Sequence, residues 1–259
     1  MSGVTQDKIE QAARRLFLAK SIVVLTGAGV SKESGIPTFR DSQDGLWAKF
    51  NPQELATRQA FVKNPKLVWD WYEFRREAFK PKTPNPGHYA IVALDTLVPD
   101  TVVVTQNIDG LHQMAGSRDV IELHGNISRH KCLNDCQGTP TLIDLSTLTW
   151  DKEAGPPACP YCGAFIRPDV VWFNEVLPID ALTRATNLAD SAEVVLVAGT
   201  SGVVEPAASL PYRARYYNDA FVIDVNPERN PITDYADLFL EGPSGVILPQ
   251  VIDAMRAFK

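Results

Sequence analysis

IVVLTGAGVSKESGIPTFR, residues 22–40, is the stretch whose reading decides the fold. Ile22 to Leu25 are apolar without the alternation of a half-solvated strand, which marks a strand buried on both faces. Thr26 ends the run and Gly27-Ala28-Gly29 come directly after it. Two glycines after a buried strand let the backbone turn tightly into a helix start and approach a pyrophosphate. Tight-turn packing alone is the other reading of the pair. Outward from this stretch, 102–105 (VVVT), 120–123 (VIEL), 194–198 (VVLVA) and 221–225 (FVIDV) repeat the buried-strand pattern. Segments near 7–19, 65–79, 86–97, 179–190, 206–217 and 246–257 read as helices. Buried strands alternating with helices predict a mostly parallel sheet covered on both faces, a Rossmann-like α/β domain.

Across 259 residues, 25 Lys and Arg stand against 31 Asp and Glu, a net charge of −6. A protein whose main partner is nucleic acid usually carries a basic excess, so no direct nucleic-acid partner is expected. No apolar run approaches the roughly 20 residues that span a bilayer. The N-terminal stretch reads as a helix and not as an export signal. A cytoplasmic enzyme without a membrane partner is the expectation.

All four cysteines lie in one stretch, as Cys132-x3-Cys136 and Cys159-x2-Cys162. Two close pairs separated by a Gly- and Pro-containing loop have the spacing of a tetrahedral thiolate zinc site. Four thiolates fill the coordination sphere, so such a Zn2+ is structural. Two disulfides or four free thiols are the alternatives, and His130 is a further candidate ligand. The stretch is polar and loop-rich, and both its ends lie inside the larger unit's chain. It predicts a small zinc-binding insertion, 125–168, in a Rossmann-like domain made of 1–124 and 169–259, the metal standing in for a core too small to form.

The chemistry-bearing residues gather at strand ends, where parallel sheets bind ligands. The first glycine pair lacks a third glycine three residues on, and about 20 residues further stands Lys49 where dehydrogenases carry an acid. Pro37 breaks the helix, leaving a loop with Thr38, Phe39 and Arg40 that could cover a dinucleotide. This departs from hydride transfer. The second strand ends in Thr105-Gln106-Asn107-Ile108-Asp109-Gly110-Leu111-His112, whose amides and carboxylate suit ribose and carboxamide groups; a self-satisfied Asn/Asp turn is the plainer alternative. His124-Gly125 ends the third, and a strand-end histidine is placed for general-base work or for a structural role. Gly199-Thr200-Ser201 and Asn226 end the others.

Together GAGVSKESGIPTFR (27–40), TQNIDGLH (105–112), HG (124–125), the paired cysteines, GTS (199–201) and NPE (226–228) stand in the order found in sirtuins. The chain resembles that family over nearly its whole length. The resemblance implies an NAD-consuming protein-lysine deacylase with a Rossmann-like domain, a small zinc domain, and acylated-lysine proteins as partners. It places Gly27, Ala28, Gly29, Ser31, Ser34, Pro37, Phe39 and Arg40 around NAD. Gln106, Asn107, Ile108 and Asp109 join them from the second motif, Gly199, Thr200 and Ser201 from the third. Asn226, Pro227, Glu228 and Ser244 complete the set. His124 becomes the general base, with Asn107 and Asp109 as catalytic partners. Val171, Phe173, Asn174 and Glu175 are implied on the peptide side. In this chemistry the acyl oxygen attacks the ribose carbon as nicotinamide leaves. A ribose hydroxyl deprotonated by His124 traps the imidate, and water releases lysine and O-acyl-ADP-ribose. The sequence departs from the family at Lys32 (commonly alanine), Asn174 (commonly glycine) and Glu205.

One helix carries an anomaly. At about 100° per residue over 66–80 (KLVWDWYEFRREAFK), Leu67, Trp71, Phe74 and Ala78 form one apolar group and Val68, Tyr72 and Phe79 another. Arg75 falls between them, whereas the other charges lie opposite. Snorkelling or pairing with a nearby acid is the ordinary explanation. Tyr72 and Arg75 also match the Tyr-x-x-Arg pair of the sirtuin class that removes succinyl, malonyl and glutaryl groups, in some members acetyl too. Ala56 matches a small residue that leaves room for the longer acyl chain. An ADP-ribosyltransferase using the same NAD pocket and a non-catalytic NAD or ADP-ribose sensor are the alternative functions.

Overall fold

The computed structural model describes residues 5–37 and 51–258. In chain order the elements are α1 (Gln6–Leu18), β1 (Ile22–Thr26), α2 (Pro52–Leu55), α3 (Arg58–Lys63), α4 (Pro65–Phe79), α5 (Pro86–Leu97) and β2 (Thr101–Thr105). They continue with α6 (Leu111–Ala115), β3 (Val120–Glu122), β4 (Gly125–Cys132), β5 (Ile166–Val170), α7 (Ile179–Ser191) and β6 (Val194–Ala198). Helix α8 (Leu210–Asn218), β7 (Phe221–Asn226), β8 (Leu238–Glu241) and α9 (Ser244–Arg256) complete the chain.

Six strands form one sheet in the order β3-β2-β1-β6-β7-β8, every pairing parallel. All residues of β1, β2 and β6 are buried, which is why these segments lack polar alternation. Successive side chains of β1 enter opposite cores. Ile22 and Val24 pack with Ile9 and Leu16 of α1, Ile91 of α5 and Val251 of α9. Val23 and Leu25 pack with Ala185 and Ala189 of α7 and Leu210 of α8. Helix α5 starts where Pro86 pre-sets the first turn and the Asn85 side chain accepts the Gly87 amide. The strand order reverses between β1 and β6, and the crevice at such a switch point is where doubly wound folds bind ligands.

Strands β4 and β5 form a separate antiparallel pair, registered Gly125↔Val170 at one end and Cys132↔Ile166 at the other. The neighbouring helices share its cores. Phe61, Val68, Trp71 and Tyr72 pack with Ile127, Val170 and Trp172, and Trp69 packs with Cys132, Cys159 and Ile166. The sequence-based boundary leaves α2–α4 in the larger unit, yet their apolar side chains pack on β4 and β5. The helical periodicity also needs correction at α4. Phe74 is 46% exposed and Ala78 is exposed, whereas Trp69, outside both predicted arcs, is buried. The helix is gripped on two sides, by the Trp172 cluster and by the cluster around Cys132, Cys159 and Ile166, and not along one stripe. Among the described residues, no helix is long and apolar enough to cross a membrane.

Candidate active site

Thr26 and Ala198 pair across β1 and β6, so the loops leaving these strands begin side by side. The Gly29 amide donates to the Gly199 carbonyl at 2.7 Å. A Cβ on Gly29 would stand 2.6 Å from that oxygen, and one on Gly199 (φ +61°) would stand 2.3 Å from the Val30 nitrogen. The first motif and the Gly199-Thr200-Ser201 motif are thus closed backbone on backbone, which only glycine permits. Tight packing accounts for this pair without appeal to a ligand. Beyond Gly27 the chain forms a 3-10 turn, Ala28–Ser34, instead of a regular helix, and Gly35 ends it in the left-handed region.

Polar side chains stitch the second motif onto that seam. The Asn107 amide donates to the Gly27 carbonyl at 3.0 Å and to Ser31 Oγ at 3.1 Å. Ser31 in turn donates to Asp109 Oδ2 at 2.8 Å, and the Leu111 amide donates to Oδ1 at 2.9 Å. Burial raises the Asp109 carboxyl above its ordinary value, opposed by these two bonds. Gln106 Nε2 donates to Thr200 Oγ1, and Asn226 Nδ2 to the Thr200 carbonyl, both at 3.0 Å. Four strand ends therefore meet in one hydrogen-bonded rim. Ser34 accepts from Asn85 Nδ2 at 3.0 Å, so the cap of α5 also braces the first motif. Ser244 is buried with its hydroxyl unpartnered at the start of α9. Pro37, Pro227 and Glu228 are exposed, while Ala28 and Ser201 are half-buried. Ile108 packs instead beside the cluster that holds Ala56, Tyr72 and Trp172. Phe39 and Arg40, like Lys49, lie outside the described residues.

His124 closes this rim. Its Nδ1 lies 2.8 Å from the Gln106 carbonyl, an acceptor only, so Nδ1 carries the proton and Nε2 keeps its lone pair. Burial lowers its pKa, opposed by that same bond. The next residue, Gly125, has φ +77°, and a Cβ there would lie 2.1 Å from the Asp169 carbonyl. The other histidines are engaged differently. The His88 and His112 rings pack 4.9 Å apart, and burial pushes them down to about 4 and about 3. His130 packs against Trp69.

Of the predicted peptide-side residues, Val171 is tied to His124 and Phe173 to Ala56 through backbone bonds. The His124 carbonyl accepts the Val171 amide at 2.9 Å, and the Phe173 amide donates to the Ala56 carbonyl at 2.9 Å. Trp172 Nε1 donates to the Tyr72 hydroxyl at 3.0 Å. Asn174 adopts φ +65°, the conformation that the glycine of related sequences would favour and that asparagine tolerates best among other residues. The Glu175 carboxylate does not stand open to a peptide. Arg167 grips both its oxygens, at 2.6 and 3.0 Å, and the Trp172 amide adds a third bond at 2.9 Å. This makes it a brace for the strand. Lys32 is exposed, and Glu205 accepts a bond from Ser209, so neither departure disturbs the rim.

Arg75 is half-buried, its guanidinium carbon 5.0, 5.4 and 5.8 Å from the ring centres of Trp71, Phe79 and Tyr72. Burial lowers its pKa, and raises that of Tyr72, whose hydroxyl stays protonated. Ala56 and Tyr72 belong to one cluster, joined through Trp172 and Phe173 to the strand beside His124. Sequence reasoning missed Arg167, 1% exposed with its guanidinium over Trp172. Its segment, Ile166–Val170, also carries Pro168 and Asp169, so no apolar run in the sequence marked the cation as buried.

The Sγ atoms of Cys132, Cys136, Cys159 and Cys162 lie within 4.8 Å of one another. Two of the separations are 3.5 and 3.8 Å. Thiolates at about 2.3 Å from a tetrahedral zinc stand about 3.8 Å apart. The cluster suits a structural zinc, and His130 is not among its potential ligands. We expect one zinc per chain by elemental analysis of unchelated protein, and Cys159→Ala to destabilise β4–β5 and release the metal. Metal-free protein with an unchanged fold would contradict this.

The Sir2 family profile matches residues 27–206. The NAD-dependent protein deacylase of Pyrococcus abyssi (strain GE5 / Orsay) is 48% identical over 248 residues, 96% of this chain and 98% of the relative. That of Aquifex aeolicus (strain VF5) is 50% identical over 236 residues, 91% and 95% of the two chains. A crystal structure of a Sir2 homologue–NAD complex aligns with TM-score 0.88 and 41% identity over 100% of this chain and 97% of that one. A Sir2 protein bound to a myristoylated histone peptide aligns with TM-score 0.75 and 35% identity over 98% of both. Shared fold, rim and sequence agree: this chain belongs to the Sir2 family.

Proposed function

We propose that the chain is an NAD-dependent protein-lysine deacylase that favours acyl groups ending in a carboxylate: succinyl, malonyl and glutaryl before acetyl. The observation that carries the reading is Arg75 held among Trp71, Tyr72 and Phe79, in the cluster that runs to the strand beside His124. The rim's amides and hydroxyls suit the ribose and carboxamide groups of NAD. Asn107 spends its donors on Gly27 and Ser31, leaving Oδ1 to accept from a hydroxyl. When bound, NAD supplies the ribose carbon that loses nicotinamide and the hydroxyl that receives the acyl group. His124 Nε2 takes the proton of that hydroxyl, and the Gln106 carbonyl holds the ring and stabilises the imidazolium. Arg75 forks onto the acyl carboxylate, and the Tyr72 hydroxyl stands one turn away. The small Ala56 leaves length for the chain. Four cysteines that form no disulfide and are set to ligate zinc fit a reducing compartment, and we propose a cytoplasmic location.

An ADP-ribosyltransferase or an NAD sensor would share the rim. Nicotinamide, O-acyl-ADP-ribose and free lysine peptide are expected in equal amounts, with no nicotinamide formed when the acyl peptide is omitted. Nicotinamide release without acyl peptide, with ADP-ribose attached to protein, would overturn the reading in favour of a transferase.

A further inference from the structure

Beneath Asn226 lies a buried acid that the proposed chemistry does not use. Asp224, on β7, is fully buried. The direction of every hydrogen bond around it is fixed by chemistry. The Thr233 hydroxyl oxygen accepts from the Asn230 amide at 3.0 Å, so its proton goes to Asp224 Oδ2. Asn230 Oδ1 accepts from the Ile232 amide at 2.9 Å, so its Nδ2 donates to the same oxygen, also at 2.9 Å. On the other side, Asn226 Nδ2 lies 3.1 Å from Asp224 Oδ1 and 3.0 Å from the Thr200 carbonyl. Burial pushes the Asp224 carboxyl up, but Thr233, Asn226 and Asn230 each stabilise its ionised form.

An Asn side chain ordinarily can present either its carbonyl or its amino group. Here two acceptors claim both amino protons. Asn226 Oδ1 must then face outward from the strand end, as an acceptor only, and Glu228 adds a carboxylate two residues on. We propose that Asp224 is a positioning residue that locks Asn226 with its carbonyl toward the dinucleotide, so that the site accepts a ribose hydroxyl and rejects a ribose phosphate, selecting NAD over NADP. The proposal rests on the reading that Asn226 faces NAD. A ribose hydroxyl can donate to Asn226 Oδ1, whereas a phosphate brings only acceptors and negative charge. A donor-less group set against a desolvated acceptor is strongly rejected.

The test is calorimetric titration of the whole protein with NAD and with NADP, without peptide. Wild type should bind NAD more tightly than NADP. Asp224→Asn keeps the shape but can donate to Asn226 and let it turn. It should weaken NAD by about tenfold, the size of one hydrogen bond, and narrow or invert the preference over NADP. In turnover with acyl peptide, the KM for NAD should rise while kcat at saturation changes little. Unchanged selectivity in a folded Asp224→Asn would overturn the lock. Asn226→Ala separates the underlying reading: unchanged NAD affinity there would mean that Asn226 is outside the NAD site. Should Asp224→Asn not fold, NMR of wild type decides. Both Asn226 side-chain amide protons should exchange slowly with solvent, and fast exchange would sink the proposal.

Discussion

His124→Ala is expected to lower kcat for deacylation by about 10²–10⁴-fold, the usual cost of removing a general base, while NAD still binds. Among the described residues it is the one histidine whose Nδ1 is held by a carbonyl at the rim, leaving a lone pair on Nε2. Its ring supports no part of the Gly27–Gly199 seam, so dinucleotide affinity should survive the truncation. The pH profile adds a check. The base works only when neutral, so activity should fall as pH drops through the pKa of His124. Burial lowers that pKa below its ordinary 6.5, so the acid limb of kcat/KM should lie below the usual imidazole range. Parental turnover in the variant would remove His124 from the mechanism.

Arg75→Met is expected to cost succinyl-lysine removal roughly 2–5 kcal/mol in kcat/KM, the range for breaking one partner of a desolvated charge pair. Acetyl-lysine removal should change far less, or rise with the loss of a half-buried cation. A charged acyl terminus entering a partly apolar pocket loses hydration, which only a cation with matching donors offsets. Methionine keeps much of the length that packs against Trp71 and Phe79, so the loss reports on charge more than on shape. Equal losses for succinyl and acetyl substrates would show that Arg75 serves the fold of α4 alone.

The buried strands at 22–26, 194–198 and 221–225 were legible because burial on both faces erases alternation. The glycine and amide motifs were legible because they fall at strand ends. The pairing of β4 with β5 was not. GNISRHKC mixes buried residues with exposed and half-buried ones, and its register shifts between Asn126 and His130. Short β8 carries one exposed and one half-buried position, too little for a periodic signal. The union of α4 with the β4–β5 unit depends on contacts such as Tyr72 with Trp172, just past β5 and 100 positions apart. No local pattern encodes them, and for the same reason the wheel of α4 assigned Phe74 inward and missed Trp69. At the site, the residue types were readable but their hydrogen-bond directions were not. Glu175 reads as open to a peptide until Arg167 is placed on it, and Asn174 reads as anomalous until its φ is known.

The most direct test of the proposed activity is kinetic: matched acetyl-, malonyl-, succinyl- and glutaryl-lysine peptides, each turned over with NAD and followed by mass spectrometry. NAD-dependent release of free lysine peptide and O-acyl-ADP-ribose is predicted, with kcat/KM for succinyl- or malonyl-lysine above that for acetyl-lysine. An acetyl peptide processed faster than every acidic acyl peptide would contradict the role given to Tyr72 and Arg75. Absence of NAD-dependent deacylation from all four would contradict the central claim.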